Sequence, residues 1–184
     1  KCSPDGSFKE FAYNREIAAK VVSELQKMGY NAELLVPERQ DISRPERIRR
    51  VNAKCKQYGK SNVLLISIHV NAASNGDWKD ARGWSAFTTR GRTESDEVAE
   101  HLYNAAERIF VGHKIRKEYS DGDKDWEKNF DICYKTYCPA VLTENFFMDN
   151  RQDLEYLKSE KGKSEIIRCH VEGIISYINS KKHE

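Results

Sequence analysis

The amino-terminal part of the chain carries apolar side chains at the spacing of an amphipathic helix. Apolar residues recur about every three or four positions, at Ala18, Val21, Val22, Leu25 and Met28, and therefore lie on one face of that helix. Ser7 and Glu10 have the S-x-x-E spacing of a helix cap, and Gly29 supplies a stop. The pattern therefore predicts a long first helix that begins close to Phe11.

Continuous apolar runs predict the strands. The strongest run, VLLISIHV over Val63–Val70, is rich in β-branched residues and is typical of a strand that is covered on both faces. Three further segments have strand character: NAELLVP (31–37), GWSAFTT (83–89) and PAVLTE (139–144).

Helical patterns alternate with these strands. Ser43 and Pro45 begin a helix that runs to about Tyr58, and later patterns predict helices over Thr93–Phe110, Arg151–Lys158 and Ser164–Ile178. The polar segment Gly112–Asn129 has the length of a functional loop. This alternation predicts a single α/β domain with a mostly parallel twisted sheet and helices on both faces.

Composition narrows the class of protein. The 184 residues suffice for one domain, and 31 basic against 29 acidic residues give a net charge of +2, which argues against a nucleic-acid partner. The apolar runs are too short for a membrane span. Five cysteines, an odd number, indicate free thiols rather than a disulfide framework. We expect a monomer.

Two chemically active side chains stand at the ends of buried strands. His69 lies at the carboxyl end of the central run and Glu144 at the end of PAVLTE. If these strands are parallel, both residues lie at one edge of the sheet, where α/β folds place their ligands. A buried histidine bonded to a loop and a salt-bridged glutamate are the alternative interpretations.

Other candidates have simpler explanations. From the spacing alone, Glu10 is better explained as a helix cap than as a ligand. Cys133 and Cys138 lack a second cysteine pair, so buried thiols are favoured over a zinc site. Asp121, Asp123 and Asp125 alternate as in a calcium loop, but Trp126 and Ile132 occupy the positions of its glycine and glutamate, which favours a solvated loop.

Several segments together resemble a known enzyme family. Five blocks occur in the family's order: GSFKEFAYNREIAAKVVSELQKMGY, SRPERIRRVN, LLISIHVNA, GWSAFTT and PAVLTENFFMDN. They resemble the zinc-dependent N-acetylmuramoyl-L-alanine amidases of the Amidase_3 type, which occur in bacteria and phages. SIHVNA and PAVLTENFF are the most specific blocks, because each joins an active residue to a strand end.

The resemblance implies a Zn²⁺ site and a reaction. It implies that Glu10 and His69 are zinc ligands, since Asn14 follows Glu10 at the family's spacing, and that Glu144 is the catalytic residue. The family's third ligand is a histidine in a Gly-His-Gly turn after a first strand. Both would lie upstream of Lys1, so we expect residues 1–184 to be an amidase catalytic domain without that strand and turn.

The implied substrate is peptidoglycan, cleaved between N-acetylmuramic acid and L-alanine. Arg90, Arg92 and Arg151 are candidate contacts for its stem-peptide carboxylates or for anionic glycan polymers, and solvated surface arginines are the alternative interpretation. Such an enzyme acts in the periplasm, outside the cell at the wall, or after release at phage lysis. The alternatives are a catalytically incomplete peptidoglycan-binding or regulatory domain, and a zinc peptidase that acts on another wall bond.

Overall fold

The computed structural model describes residues 1–182 as an α/β domain. Its helices are α1 (Glu10–Lys27), α2 (Arg44–Tyr58), α3 (Glu94–Ile109), α4 (Asp131–Tyr134), α5 (Arg151–Lys158) and α6 (Glu160–Lys181). Its strands are β1 (Leu65–Asn71), β2 (Ser85–Thr88), β3 (Trp126–Glu127) and β4 (Ala140–Phe147). A short 3₁₀ turn, Lys60–Asn62, connects α2 to β1.

The four strands form one mixed sheet in the order β1-β4-β2-β3. β1 pairs with β4 in parallel and β2 pairs with β3 in parallel, whereas β2 and β4 are antiparallel. The predicted fold class, a mostly parallel sheet flanked by helices, is confirmed. β4 lies inside the sheet and is buried along nearly its whole length, as its continuous apolar sequence requires.

Helices cover both faces of the sheet. On one face, α1, α3, α5 and α6 pack over Ile66, Ile68 and Val141 to form the larger core. On the other face, α2 and α4 form a smaller core with Leu65 and Leu142. None of the helices within residues 1–182 has the length and apolar composition needed to cross a bilayer.

Two local predictions are wrong. Residues 31–37 form no strand, although the structure describes all of them. A strand needs a hydrogen-bonding neighbour, and the sheet supplies none there. The predicted Ser7–Glu10 cap is also absent: α1 begins after Lys9 without a side-chain cap, and the Ser7 hydroxyl bonds to Asp5 instead.

The loop predicted over Gly112–Asn129 is partly folded into the sheet. It contributes β3, and Asp125 is 2% exposed and accepts a hydrogen bond of 2.5 Å from the Thr88 hydroxyl. The interpretation of the three alternating aspartates as a solvated loop is therefore wrong for Asp125. Tertiary contact with β2 buries it.

The other element predictions are confirmed. Ser43 caps α2 by accepting a hydrogen bond from the Glu46 backbone, and Pro45 lies in the first turn. Cys133 and Cys138 are buried free thiols, as expected from their spacing. β1 agrees with the predicted apolar run, although it lies at the edge of the sheet and is less buried than β4.

Candidate active site

Parallel pairing of β1 with β4 brings His69 and Glu144 together. The two residues are direct partners in the strand register. Strand alternation places both on the face that carries Leu65 and Leu142. They lie toward the carboxyl ends of the strands, beyond the part of this face that the smaller core occupies. The predicted proximity of His69 and Glu144 is confirmed.

The first turn of α1 brings Glu10 to the same place. Glu10 Oε1 lies 3.1 Å from His69 Nδ1, and the Glu10 side chain is 16% exposed. Asn14, one helical turn later, donates a hydrogen bond of 3.3 Å to the same oxygen. The Glu10 carboxylate therefore faces His69 rather than capping its helix, so the cap interpretation of Glu10 is wrong.

The pKa of Glu10 reflects this partnership. Burial acts to raise the pKa, but the hydrogen bond and charge of His69, with smaller effects of the amino terminus and Asn14, outweigh it. The pKa of Glu10 therefore lies below its usual value, and Glu10 is ionised at neutral pH. An ionised carboxylate next to an imidazole nitrogen is a donor pair that suits Zn²⁺.

Glu144 has the opposite environment. Burial raises its pKa to about 7, with His69 acting to lower it and Glu10 acting to raise it. Its Oε2 atom is buried and has no hydrogen-bond partner within residues 1–182. A carboxyl group that titrates near neutral pH can both accept and return a proton.

A β-bulge after Glu144 shapes the end of β4. The register passes from His69–Glu144 to Asn71–Phe147, so β4 has one residue more than β1 over this step. Phe146 there has a φ of 65°, a left-handed conformation that is strained for a bulky residue. Bulges re-aim neighbouring side chains and are frequent beside active sites.

Two polar residues around His69 escaped the sequence reasoning. The Ser67 hydroxyl lies 3.0 Å from His69 Nε2, so Ser67 and Glu10 together orient the ring. The Asn145 amide donates to the His69 carbonyl oxygen and accepts from the Trp84 indole on the opposite face. Period-two alternation could have found Ser67, because it shares a face with His69; Asn145 had no such signal.

The predicted substrate-binding arginines separate into two groups. Arg90 and Arg92 follow β2, which runs antiparallel to β4, so they lie at the end of the sheet away from Glu144. Arg151 begins α5 just after β4, and its guanidinium lies 4.1 Å from the centre of the Trp78 ring. The structure therefore brings only Arg151 to the Glu144 end of the strands.

The residues present fit part of a zinc site. Two atoms bound to one tetrahedral zinc at about 2.0–2.2 Å lie roughly 3.2–3.6 Å apart, close to the 3.1 Å between Glu10 Oε1 and His69 Nδ1. No group of three His, Cys, Asp or Glu side chains that could hold a metal ion is found among residues 1–182. Glu10 and His69 are thus chemically suitable zinc donors, but they are two ligands where a catalytic zinc site usually has three.

Comparison with known proteins finds relatives of similar sequence. Over 139 residues the chain is 30% identical to an endolysin of Bacillus phage SPP1, covering 74% of this chain and 46% of the endolysin. Over 146 residues it is 30% identical to the N-acetylmuramoyl-L-alanine amidase CwlM of Bacillus licheniformis, covering 78% of this chain and 49% of CwlM. The chain thus spans about half the length of these curated relatives.

A solved structure shares the fold. The catalytic domain of CwlV, an N-acetylmuramoyl-L-alanine amidase from Paenibacillus polymyxa, superposes with a TM-score of 0.79 at 20% identity, covering 97% of this chain and 90% of that one. Residues 2–176 match the Amidase_3 family, described as N-acetylmuramoyl-L-alanine amidase. A match over nearly the whole domain, joined to a Glu10–His69–Glu144 cluster, establishes that the chain belongs to this amidase family.

Proposed function

We propose that this protein hydrolyses the amide bond between N-acetylmuramic acid and L-alanine in peptidoglycan, and that it does so with zinc. The observation that carries the proposal is the placement of Glu144, whose buried Oε2 atom has no hydrogen-bond partner among residues 1–182, directly opposite His69 of the His69–Glu10 pair. The names of the relatives support it, since one is an amidase and one an endolysin. We therefore expect action at the cell wall, outside the membrane or after phage lysis.

Glu10 and His69 are the residues of this chain that would hold the zinc ion. A bound zinc ion lowers the pKa of a coordinated water to about 7 and polarises a substrate carbonyl. Ser67 and Asn14 hold the His69 ring and the Glu10 carboxylate in position, as partners of metal ligands commonly do. The histidine that the family places before residue 1 would be the third ligand.

The amino terminus is well placed for that third ligand. The amino nitrogen of Lys1 lies 3.7 Å from Glu10 Oε2. Any residue joined to Lys1 would therefore start beside the Glu10 carboxylate. This proximity supports the proposal that a residue upstream of Lys1 supplies the third ligand.

Glu144 performs the proton transfers in this proposal. Its ionised carboxylate takes a proton from the attacking water and later delivers that proton to the L-alanine nitrogen, which otherwise leaves poorly. Arg151, at the same end of the sheet, is a candidate contact for a carboxylate of the stem peptide.

Glu144→Gln tests this assignment. The amide keeps the shape of the side chain but cannot accept the proton, so we expect turnover to fall by roughly 10²–10⁴-fold while zinc stays bound. Turnover is measured on purified sacculi as new L-alanine amino groups without new reducing ends, using the protein made from its complete coding sequence. Zinc is measured by elemental analysis.

Glu155→Gln, an exposed substitution on α5, is the matched control and should keep full turnover. Near-normal turnover in a folded, zinc-loaded Glu144→Gln protein would contradict the assignment. Release of amino groups from another residue of the stem would identify a peptidase instead. A wild-type protein that binds sacculi without cleaving them would identify a binding domain.

A further inference from the structure

Ser85 lies directly across the sheet from Glu144. The two residues are partners in the antiparallel register of β2 and β4, so their side chains project from the same face with Cβ atoms about 4.5–5.5 Å apart. Ser85 is 0% exposed. Its hydroxyl oxygen is buried without a hydrogen-bond partner in the described part of the chain.

Two buried polar atoms that have no hydrogen-bond partner within residues 1–182, Ser85 Oγ and Glu144 Oε2, therefore belong to side chains that are direct neighbours across the sheet. A buried hydroxyl or carboxylate without a partner is destabilising, and the cost is greater for a charged group. The two groups are complementary, because a serine hydroxyl donates and an ionised carboxylate accepts.

The buried polar side chains next to Glu144 on β4, and the other hydroxyl of β2, are already engaged. The Asn145 amide donates to the His69 carbonyl and to Thr143 Oγ1. Thr88, on the same strand as Ser85, donates to Asp125. Ser85 is thus the buried donor of β2 that remains free for Glu144.

We propose that Ser85 is a positioning residue for the amidase reaction, its hydroxyl donating a hydrogen bond to the Glu144 carboxylate when that group acts as the base. This inference rests on the proposed function. The bond fixes one carboxylate oxygen against β2 and leaves the other directed at the attacking water. Ser85 itself touches neither the water nor the substrate.

The test measures kcat and KM for amino-group release from sacculi in four variants: Ser85→Ala, Ser85→Thr, Thr88→Val and the double variant Ser85→Ala with Glu144→Gln. We expect Ser85→Ala to lower kcat about ten-fold with little change in KM, the effect of one hydrogen bond to a charged group. Ser85→Thr keeps the hydroxyl and should recover most of this loss. Thr88→Val removes a partnered hydroxyl from the same strand and should lower the unfolding temperature while keeping kcat.

In the double variant, Ser85→Ala should add no loss to that of Glu144→Gln, because the base on which Ser85 acts is already gone. A wild-type kcat in Ser85→Ala would overturn the proposal, as would the same ten-fold loss persisting in the Glu144→Gln background. If Ser85→Ala fails to fold, Ser85→Cys supplies the same measurement with a weak donor of similar shape. An inactive wild-type protein would refute the proposed function and this inference together, whereas an active wild type with an insensitive Ser85→Ala refutes only the latter.

Discussion

At the scale of single residues, the site depends on how each ionisable side chain is partnered. His69 is held at one ring nitrogen by Glu10 and at the other by Ser67. The Oε2 atom of the neighbouring Glu144 is buried and has no hydrogen-bond partner in the part of the chain that the structure describes. The contrast supports the two roles proposed above, because an oriented imidazole–carboxylate pair suits a cation whereas an unpartnered carboxyl suits proton transfer.

The proposed zinc site predicts that His69→Ala removes most of the zinc from the protein made from the complete coding sequence. Removing one of three ligands weakens a catalytic zinc site far more than changing a group that only orients a ligand. Elemental analysis after dialysis measures the loss. His101, whose ring bonds to Ser176 on the surface, provides the control: His101→Ala should keep its zinc. Unchanged metal content in His69→Ala would show that His69 is not a ligand.

At the scale of elements, the segment before β3 is attached to β2 through a cluster of acids. Asp125 accepts from Thr88, and Asp123 and Asp96 lie close enough to affect its titration. Burial, with smaller effects of these neighbours, raises the pKa of Asp125 to about 8. Asp125 is therefore protonated when the protein is folded at neutral pH, and its proton can be donated to Asp123.

The sign of the pH effect follows from this shift. The unfolded chain releases the Asp125 proton near pH 4 and the folded protein only near pH 8. Between these two pH values the folded protein therefore holds a proton that the unfolded chain has released. The contribution of Asp125 to stability is complete below about pH 4 and is lost as the pH rises toward 8. Stability from this cluster should decrease with pH.

Asp125→Asn should abolish that loss. Asparagine keeps an acceptor for Thr88 and supplies an amide donor for Asp123 without ever ionising. We expect the variant to be more stable than wild type at pH 8 by roughly 1–3 kcal/mol, with a smaller difference at pH 5. Urea unfolding at the two pH values measures this. The exposed Asp121→Asn control should show no such pH-dependent gain; an equal gain there, or none in Asp125→Asn, would contradict the protonated state.

At the scale of the whole molecule, the sheet separates two cores of different size. The larger depends on close packing of α3 against α6, where a Cβ at Gly173 would lie 2.7 Å from Leu102 Cδ2 and 3.0 Å from Leu102 Cα. These contacts are too short for an ordinary side chain. Gly173 is thus required by the approach of two helices and not by its own backbone conformation.

Gly173→Ala should destabilise the fold by about 1–3 kcal/mol, even though alanine favours a helix by about 1 kcal/mol. The added methyl group must push α6 away from α3. Thermal or urea unfolding measures the change, and Asn179→Ala on the exposed side of α6 should cost little. A variant as stable as wild type would show that the two helices separate easily.

The sequence by itself determined the strand that carries Glu144 and the strand that carries His69. Both are continuous apolar runs, and such runs are a local signal that needs no knowledge of the rest of the chain. Their chemical residues stand at the carboxyl ends, where parallel pairing brings them together. The family could be identified from the same blocks, because the residues of the site are fixed relative to these strands.

Only the tertiary structure decided the partners of these residues. Glu10 has the spacing of a cap, and it faces His69 because α1 packs beside β1. Ser85 looks like an ordinary strand residue until β2 pairs with β4 and sets it opposite Glu144. The sequence around Asp125 indicates a solvated loop, but Asp125 is buried because β3 joins the sheet. The pattern of residues 31–37 predicts a strand, but no neighbouring strand pairs with it. Each of these outcomes depends on contacts between segments distant in sequence, which periodicity within one segment does not encode.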